Sequence, residues 1–116
     1  MRREILFLTD IVDAADHVAG FVEDITLEQF EQSELVRSAV AQKLAIIGEA
    51  AGRISTELKI RATEIPWPRI VAFRNLLVHA YFGIDWVEVW QVAKHRCPDL
   101  RDQVARILAE ESARPE

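Results

Sequence analysis

The chain has 116 residues, of which 50% are hydrophobic, with four glycines and four prolines. These values exclude both a multidomain protein and a disordered chain, and they indicate one folded domain whose function lies on its surface or at an interface. A formal net charge of −5 argues against a surface that coats nucleic acid nonspecifically. The lone Cys97 cannot form a disulfide within the chain, so we expect a packing residue and a cytoplasmic location.

Positive charge is concentrated between Arg53 and Arg74. This segment contains five basic and two acidic residues, a net charge of +3 that leaves −8 for the rest of the chain. An anionic ligand such as RNA is expected near this segment, although a solvated helix face would have the same composition.

The first predicted element is a long amphipathic helix from about Arg3 to Asp24. Its apolar positions recur at steps of three and four residues: Ile5, Leu8, Val12, Ala15, Ala19 and Val22. Acidic residues interrupt the early apolar run too soon for a signal peptide or a membrane span, so we expect neither export nor a membrane partner.

A short helix and a second long helix follow. Thr26 and Gln29 have the spacing of a capping box, and Ser33 is a candidate cap for the long helix. One apolar stripe is predicted along that helix: Val36, Val40, Ile47, Ala50, Ile54 and Leu58. The stretch GEAAG, residues 48–52, would let another helix approach closely, which would offset a cost of roughly 1 kcal/mol for each helical glycine.

Prolines and further caps divide the remaining chain. Pro66 and Pro68 mark a break, and a third helix is predicted from Pro68 to about Tyr81, ended by Gly83. Asp85 and Glu88 form a candidate capping box for the next helix, and Pro98 is predicted to open the last one. We find no convincing strand pattern. The prediction is an all-α antiparallel bundle of four to five main helices, with a single domain at 1–112 and a C-terminal tail at 113–116.

The stretch RNLLVHAY, residues 74–81, places three polar side chains in an apolar helix. Arg74 and His79 are five residues apart, which corresponds to about 140° around the helix and about 7.5 Å along it. A two-fold dimer could bring both copies into one cleft. A purely structural interpretation is also available, in which Arg74 covers the core, His79 caps the helix and Tyr81 packs with its hydroxyl outward.

The pattern R-x-x-x-x-H-x-Y, filled by Arg74, His79 and Tyr81, lies in a longer run of distinctive sequence. The ordered blocks GEAAGRIS, PWPRIVAFRNLLVHAY and GIDWVEVW resemble the HepT-like proteins of the HEPN superfamily. This resemblance covers nearly the whole chain. It implies a homodimeric helical bundle, the toxin of a type VII toxin–antitoxin system, whose partner is a minimal nucleotidyltransferase antitoxin.

The resemblance also implies roles for individual residues. Arg74 and His79 would be catalytic in metal-independent cleavage of RNA, with Asn75 in support. Tyr81 would accept AMP, which the antitoxin transfers from ATP to silence the toxin. The residue types suit this chemistry, because histidine titrates near neutrality and a guanidinium can hold two phosphate oxygens at once.

Several other residues leave alternatives open. Glu49 either contacts Arg74 or points to solvent. The tryptophans could stack on bases or belong to the core or a dimer interface: Trp67, Trp86 and Trp90. Neither Asp13 with His17, predicted to be a solvated ion pair, nor His95 with Cys97 has enough neighbouring ligands, so we expect no metal and no cofactor.

A second function class remains compatible with the same residues. It is a non-catalytic HEPN module that dimerises and binds a nucleotidyltransferase partner or a nucleotide. Only the nuclease hypothesis predicts that a folded protein changed at His79 loses RNA cleavage.

Overall fold

The computed structural model describes residues 2–115 as helices joined by short turns. The helices are α1 (Arg2–Val22), α2 (Leu27–Gln32), α3 (Glu34–Arg53), α4 (Thr56–Arg61), α5 (Trp67–His79), α6 (Trp86–Gln91) and α7 (Cys97–Ala113). A 3-10 turn (Tyr81–Gly83) follows α5, and a π-helical segment (Val92–Arg96) joins α6 to α7. Residues 2–115 contain no strand, which confirms the all-α prediction.

The core is organised around α1, which packs along both α3 and α7, while α3 also packs against α5. Most of the predicted apolar stripe of α1 is buried, although Ala19 is exposed and Ile5 is half-buried. Full burial of one such aliphatic side chain contributes about 1.5–3 kcal/mol. Within residues 2–115, no helix is both long and apolar enough to cross a membrane.

Two of the predicted helix starts are confirmed in detail. The Gln29 amide donates to the Thr26 hydroxyl at 3.1 Å, and the Thr26 amide donates to the Gln29 side chain at 2.9 Å. The Ser33 hydroxyl accepts from the Val36 amide at 3.1 Å. These bonds satisfy amides that a helix start would otherwise leave without partners.

The second long helix is shorter than predicted, because it ends at Arg53 and does not continue to Leu58. Ser55 begins α4 separately, and its hydroxyl accepts from the Leu58 amide at 3.2 Å. The buried Glu4 carboxylate on α1 accepts from the Ser55 amide at 3.1 Å and from its hydroxyl at 3.3 Å. An amide bound to Glu4 is not available to continue α3, so this tether explains the break.

The predicted end of the motif helix is also corrected. Helix α5 ends at His79, and the backbone of Ala80 leaves the helical region with φ −126° and ψ 37°. Gly83 does not end the helix, because no glycine of the described chain has a positive φ and Gly83 lies in the 3-10 turn. Asp85 caps α6 by accepting from the Val87 and Glu88 amides at 3.0 and 3.3 Å, which is half of the expected capping box.

Pro98 lies in the first turn of α7, as predicted, although no non-helical break precedes that helix. The backbone stays helical from α6 to α7, and the Cys97 amide donates to the Val92 carbonyl in the π-helical segment. In a regular α-helix the proline ring clashes with the carbonyl four residues earlier. The wider π-helical turn directly before Pro98 provides the room that lets the helix continue.

Candidate active site

The predicted motif runs along α5 and into the 3-10 turn that follows it. Arg74 lies on the side of α5 that packs against α3, His79 is the last residue of α5, and Tyr81 begins the turn. Arg74 is partly buried, whereas His79 and Tyr81 are exposed. The two ends of the motif therefore have different surroundings.

Gly48 permits the close approach of α3 and α5 at Arg74. A Cβ atom at Gly48 would lie 2.1 Å from the Arg74 Cβ and 3.2 Å from the Ile70 carbonyl oxygen. Any larger residue would therefore push the helices apart. At Gly52 the nearest atom is the Val71 Cγ2 at 3.8 Å, an ordinary contact. The close approach of two helices expected from GEAAG is confirmed. Of its two glycines, only Gly48 lies where a side chain would collide with α5.

The Arg74 guanidinium is held by two neighbouring side chains. Its Nη2 is 3.0 Å from the Glu49 Oε2, and its Nη1 donates to the Asn75 Oδ1 at 3.0 Å. The other Glu49 oxygen binds the Arg53 Nη2 at 3.1 Å. Glu49 thus contacts Arg74, and the set of two arginines and one carboxylate keeps a net positive charge that can attract a phosphate.

His79 has no such support. Its imidazole makes no hydrogen bond or ion pair with Arg74 or with any other side chain between residues 2 and 115. The fold brings Arg74, Asn75 and Glu49 together and leaves His79 open to solvent.

Tyr81 lies against α3 and α6 in a small aromatic cluster. Its hydroxyl is 3.4 Å from the Ser38 hydroxyl, and its ring meets the rings of Phe82 and Trp86 edge to face at 5.9 and 5.8 Å. The Arg37 guanidinium lies 5.4 Å from the centre of the Trp86 ring. Arg37 and Ser38 could not be predicted to lie beside Tyr81, because they are some forty positions earlier in the chain and belong to no motif.

Three of the five basic residues in the segment predicted to attract an anion lie in two separate ion-pair clusters. Arg53 and Arg74 share Glu49, whereas Arg61 pairs with Glu111 at 3.1 Å on another part of the bundle. Only the first cluster includes a motif residue, so it is the stronger candidate for binding a phosphate.

Several other residues with possible roles lie wholly or partly in the core or make other contacts. Trp67 and Trp90 are buried in the core, and Trp86 is half-buried. Cys97 is buried as well, and this burial raises the pKa of its thiol to about 12, as expected for a packing residue. The predicted Asp13–His17 ion pair is wrong, since the exposed His17 ring instead stacks on Phe21.

A groove of about 610 Å³ does not coincide with the motif. It lies between α5 and the continuous α6–α7 helix, and Arg74, His79 and Tyr81 do not line it. Residues 2–115 also contain no group of three or more His, Cys, Asp or Glu side chains that could hold a metal ion.

Comparison with known proteins identifies the family. The family model described as "Ribonuclease HepT-like" matches residues 11–107. The chain is 37% identical to "Putative RNase MJ1380" of Methanocaldococcus jannaschii over 98 residues, covering 84% of this chain and 90% of that protein. It is 34% identical to "Probable ribonuclease HepT" of Thermococcus cleftensis over 101 residues, covering 87% and 92%.

No solved structure gives a significant match. The family model spans the helices that carry the motif and its supporting residues, and both relatives are matched over most of their length. The chain therefore belongs to the HepT-like ribonuclease family of the HEPN superfamily.

Proposed function

We propose that this protein is the toxin of a type VII toxin–antitoxin system, a metal-independent endoribonuclease with Arg74 and His79 as its catalytic residues. The observation that carries the proposal is the motif helix itself. It holds one guanidinium in a defined, positively charged cluster and presents one histidine to solvent, on a chain that belongs to a ribonuclease family.

Cleavage would proceed by attack of a ribose 2′-hydroxyl on the neighbouring phosphorus. The bond to the 5′-oxygen of the next nucleotide breaks, which leaves a 2′,3′-cyclic phosphate and a 5′-hydroxyl. His79 would move the proton, as base toward the attacking oxygen or as acid toward the leaving oxygen. Arg74 would stabilise the negative charge on the phosphate oxygens.

Glu49 and Asn75 would act on the reaction through Arg74. Each contacts a different terminal nitrogen of the guanidinium, so together they fix its plane. A guanidinium with a fixed plane loses less side-chain entropy when it binds a phosphate. Both are therefore positioning residues in this proposal.

A second copy of the chain would complete the cleft. Apolar side chains near His79 are exposed: Leu76 by 48%, Val78 by 46% and Phe82 by 103%. An exposed apolar cluster of this kind is typical of a protein interface. A homodimer formed there would bring two motif helices together, and sedimentation at equilibrium would test it.

Tyr81 would be the regulatory acceptor. In this step the Tyr81 oxygen attacks the α-phosphorus of ATP, pyrophosphate leaves, and the phenolic proton is released to solvent. The ring is 39% exposed and only two residues from His79, so an attached nucleotide would obstruct the cleft. Mass analysis after incubation with the cognate nucleotidyltransferase and ATP should show added AMP on this protein and none on Tyr81→Phe.

The nuclease activity is tested with a defined RNA oligonucleotide in excess EDTA. The unmodified protein should release fragments that end in a 2′,3′-cyclic phosphate, and Arg74→Ala should release almost none. Unchanged cleavage by Arg74→Ala would contradict the assignment of Arg74. Cleavage that stops in EDTA would contradict metal independence.

A further inference from the structure

We propose that Arg37 is the binding residue for a phosphate group attached to the Tyr81 hydroxyl. The inference rests on the proposed modification of Tyr81, and it specifies which side chain receives the new negative charge. Arg37 would hold the modified tyrosine against α3, so that the attached group stays beside the motif helix.

Arg37 and Tyr81 lie close together in the fold. The Tyr81 hydroxyl lies 3.4 Å from the Ser38 hydroxyl, and Ser38 directly follows Arg37 on α3. Because adjacent helical residues point about 100° apart, Ser38 alone does not place a phosphate on Tyr81 near Arg37, and a shared neighbour of the two side chains does so. The Trp86 ring touches both partners, since Arg37 lies over it and Tyr81 meets it edge to face.

The positive charge of Arg37 is not neutralised by a carboxylate of the described chain. Its Nη1 donates to the Glu31 backbone carbonyl, and its Nε is buried without a hydrogen-bond partner. No carboxylate among residues 2–115 forms an ion pair with Arg37, although Glu31 and Glu34 are near it in sequence. A buried N–H without a partner is costly, and an anion within reach would offset that cost.

The other candidate cation is Arg74, and its contacts differ. Arg74 already binds Glu49 at 3.0 Å and Asn75 at 3.0 Å. It also lies five residues, or about 7.5 Å of helix length, before the end of α5 at His79, and Tyr81 follows in the 3-10 turn. Arg74 already shares its charge with Glu49, whereas Arg37 makes no ion pair with a carboxylate of the described chain and has an unpaired donor.

The residues around Tyr81 further favour a role in regulation over one in RNA binding. Glu31 on α2 and Glu34 at the start of α3 are near Arg37 in sequence, and Asp85 and Glu88 at the start of α6 are near Tyr81 in sequence. These carboxylates would repel an RNA backbone with many charges. A single phosphate that is covalently fixed beside Arg37 needs only one cation and avoids most of this repulsion.

The test uses the protein with phosphotyrosine installed at position 81 during synthesis. Phosphorus NMR then measures the second ionisation pKa of that phosphate as pH is varied. A nearby guanidinium favours the dianion, so the pKa should be about one unit lower in the otherwise unchanged protein than in Arg37→Gln. Arg106→Gln, which changes an exposed arginine on α7, should leave the lowered pKa unchanged.

Arg37→Lys controls for misfolding as the cause of a lost pKa shift, because it keeps the positive charge and most of the aliphatic side chain. It should retain part of the pKa shift that Arg37→Gln loses. Equal pKa values with and without Arg37 would overturn the inference, and so would a shift that disappears in Arg74→Gln instead. The measurement needs neither the transferase nor RNA cleavage, so it can fail or succeed separately from the proposed function.

Discussion

The two ends of the motif helix differ in how many contacts the rest of the chain makes with their side chains. At Arg74 the helix presses against Gly48, and the side chain is oriented by Glu49 and Asn75. At His79 the helix ends in solvent, without a side-chain partner in the described chain. One chain thus orients Arg74, the residue proposed to bind the phosphate. It does not orient His79, the residue proposed to transfer the proton, so His79 would be oriented by RNA or by a second copy of the chain.

The largest effects are expected from alanine substitutions at Arg74 and His79, which should both reduce RNA cleavage but differ in their effect on stability. Arg74→Ala and His79→Ala should each reduce RNA cleavage by about 10²- to 10⁴-fold, the usual range for removing an acid–base or charge-stabilising group. Only Arg74→Ala should also lower the melting temperature, because only Arg74 packs against α3. Cleavage rates and thermal unfolding of both variants check this contrast, and a large loss of stability in His79→Ala would contradict it.

Substitutions at two glycines of α3 should affect the contact between α3 and α5 differently. Gly48→Ala should lower the free energy of unfolding by about 1–3 kcal/mol, because its Cβ would overlap the Arg74 stem and force the helices apart. Gly52→Ala should be neutral or should stabilise the protein by up to about 1 kcal/mol, since helix propensity improves where there is room.

Urea unfolding of these two variants measures both values. Gly48→Ala should also lose RNA cleavage, because Arg74 would move with α5. Equal stability of the two variants would show that the close approach at Gly48 does not matter.

Glu49 allows a finer test of how Arg74 is oriented. Glu49→Gln should lower kcat/KM for RNA roughly 10-fold, a loss of about 1.4 kcal/mol of transition-state stabilisation. Its effect on the free energy of unfolding should stay below about 1 kcal/mol, since the Glu49 side chain is 48% exposed. Arg53→Gln, which changes the other partner of Glu49, should change kcat/KM less. Faster cleavage by Glu49→Gln would show instead that Glu49 competes with the phosphate.

The smallest effect is expected at a cluster outside the motif. Burial raises the pKa of Glu111, but hydrogen bonds from Arg61 and Arg114 outweigh it and leave the pKa below its ordinary value of 4.5. The cluster thus contributes stability above pH 4.5 that is lost as pH falls through the lowered pKa. Glu111→Gln should unfold more easily near neutral pH and show a weaker loss of stability in acid, as thermal melts between pH 7 and pH 3 would reveal.

Local signals in the sequence predicted the parts of the fold that neighbouring residues determine. The α1 stripe, the Thr26 capping box and the Ser33 cap all depend on residues within a few positions of one another. The contact allowed by Gly48 was also foreseeable, because small residues in a helix interior need a packing reason. The polar residues of RNLLVHAY indicated where to look for a site.

Contacts between distant parts of the chain were not predictable in this way. The break at Ser55 depends on Glu4, which is 51 residues earlier, and the surroundings of Tyr81 depend on Arg37 and Ser38. Glu49 left two alternatives open, because one sequence does not show which face of α3 meets α5. The structure decides where these side chains lie, whereas their roles in catalysis stay predictions.

The most direct test of the central claim is cleavage of total cellular RNA in EDTA by the unmodified protein and by His79→Ala, with circular dichroism showing that both are folded. The account predicts rapid cleavage by the first and almost none by the second. Absence of cleavage by both, with Tyr81 unmodified by mass, would contradict the nuclease assignment and favour a binding module. Equal cleavage by both would show that His79 does not carry the reaction.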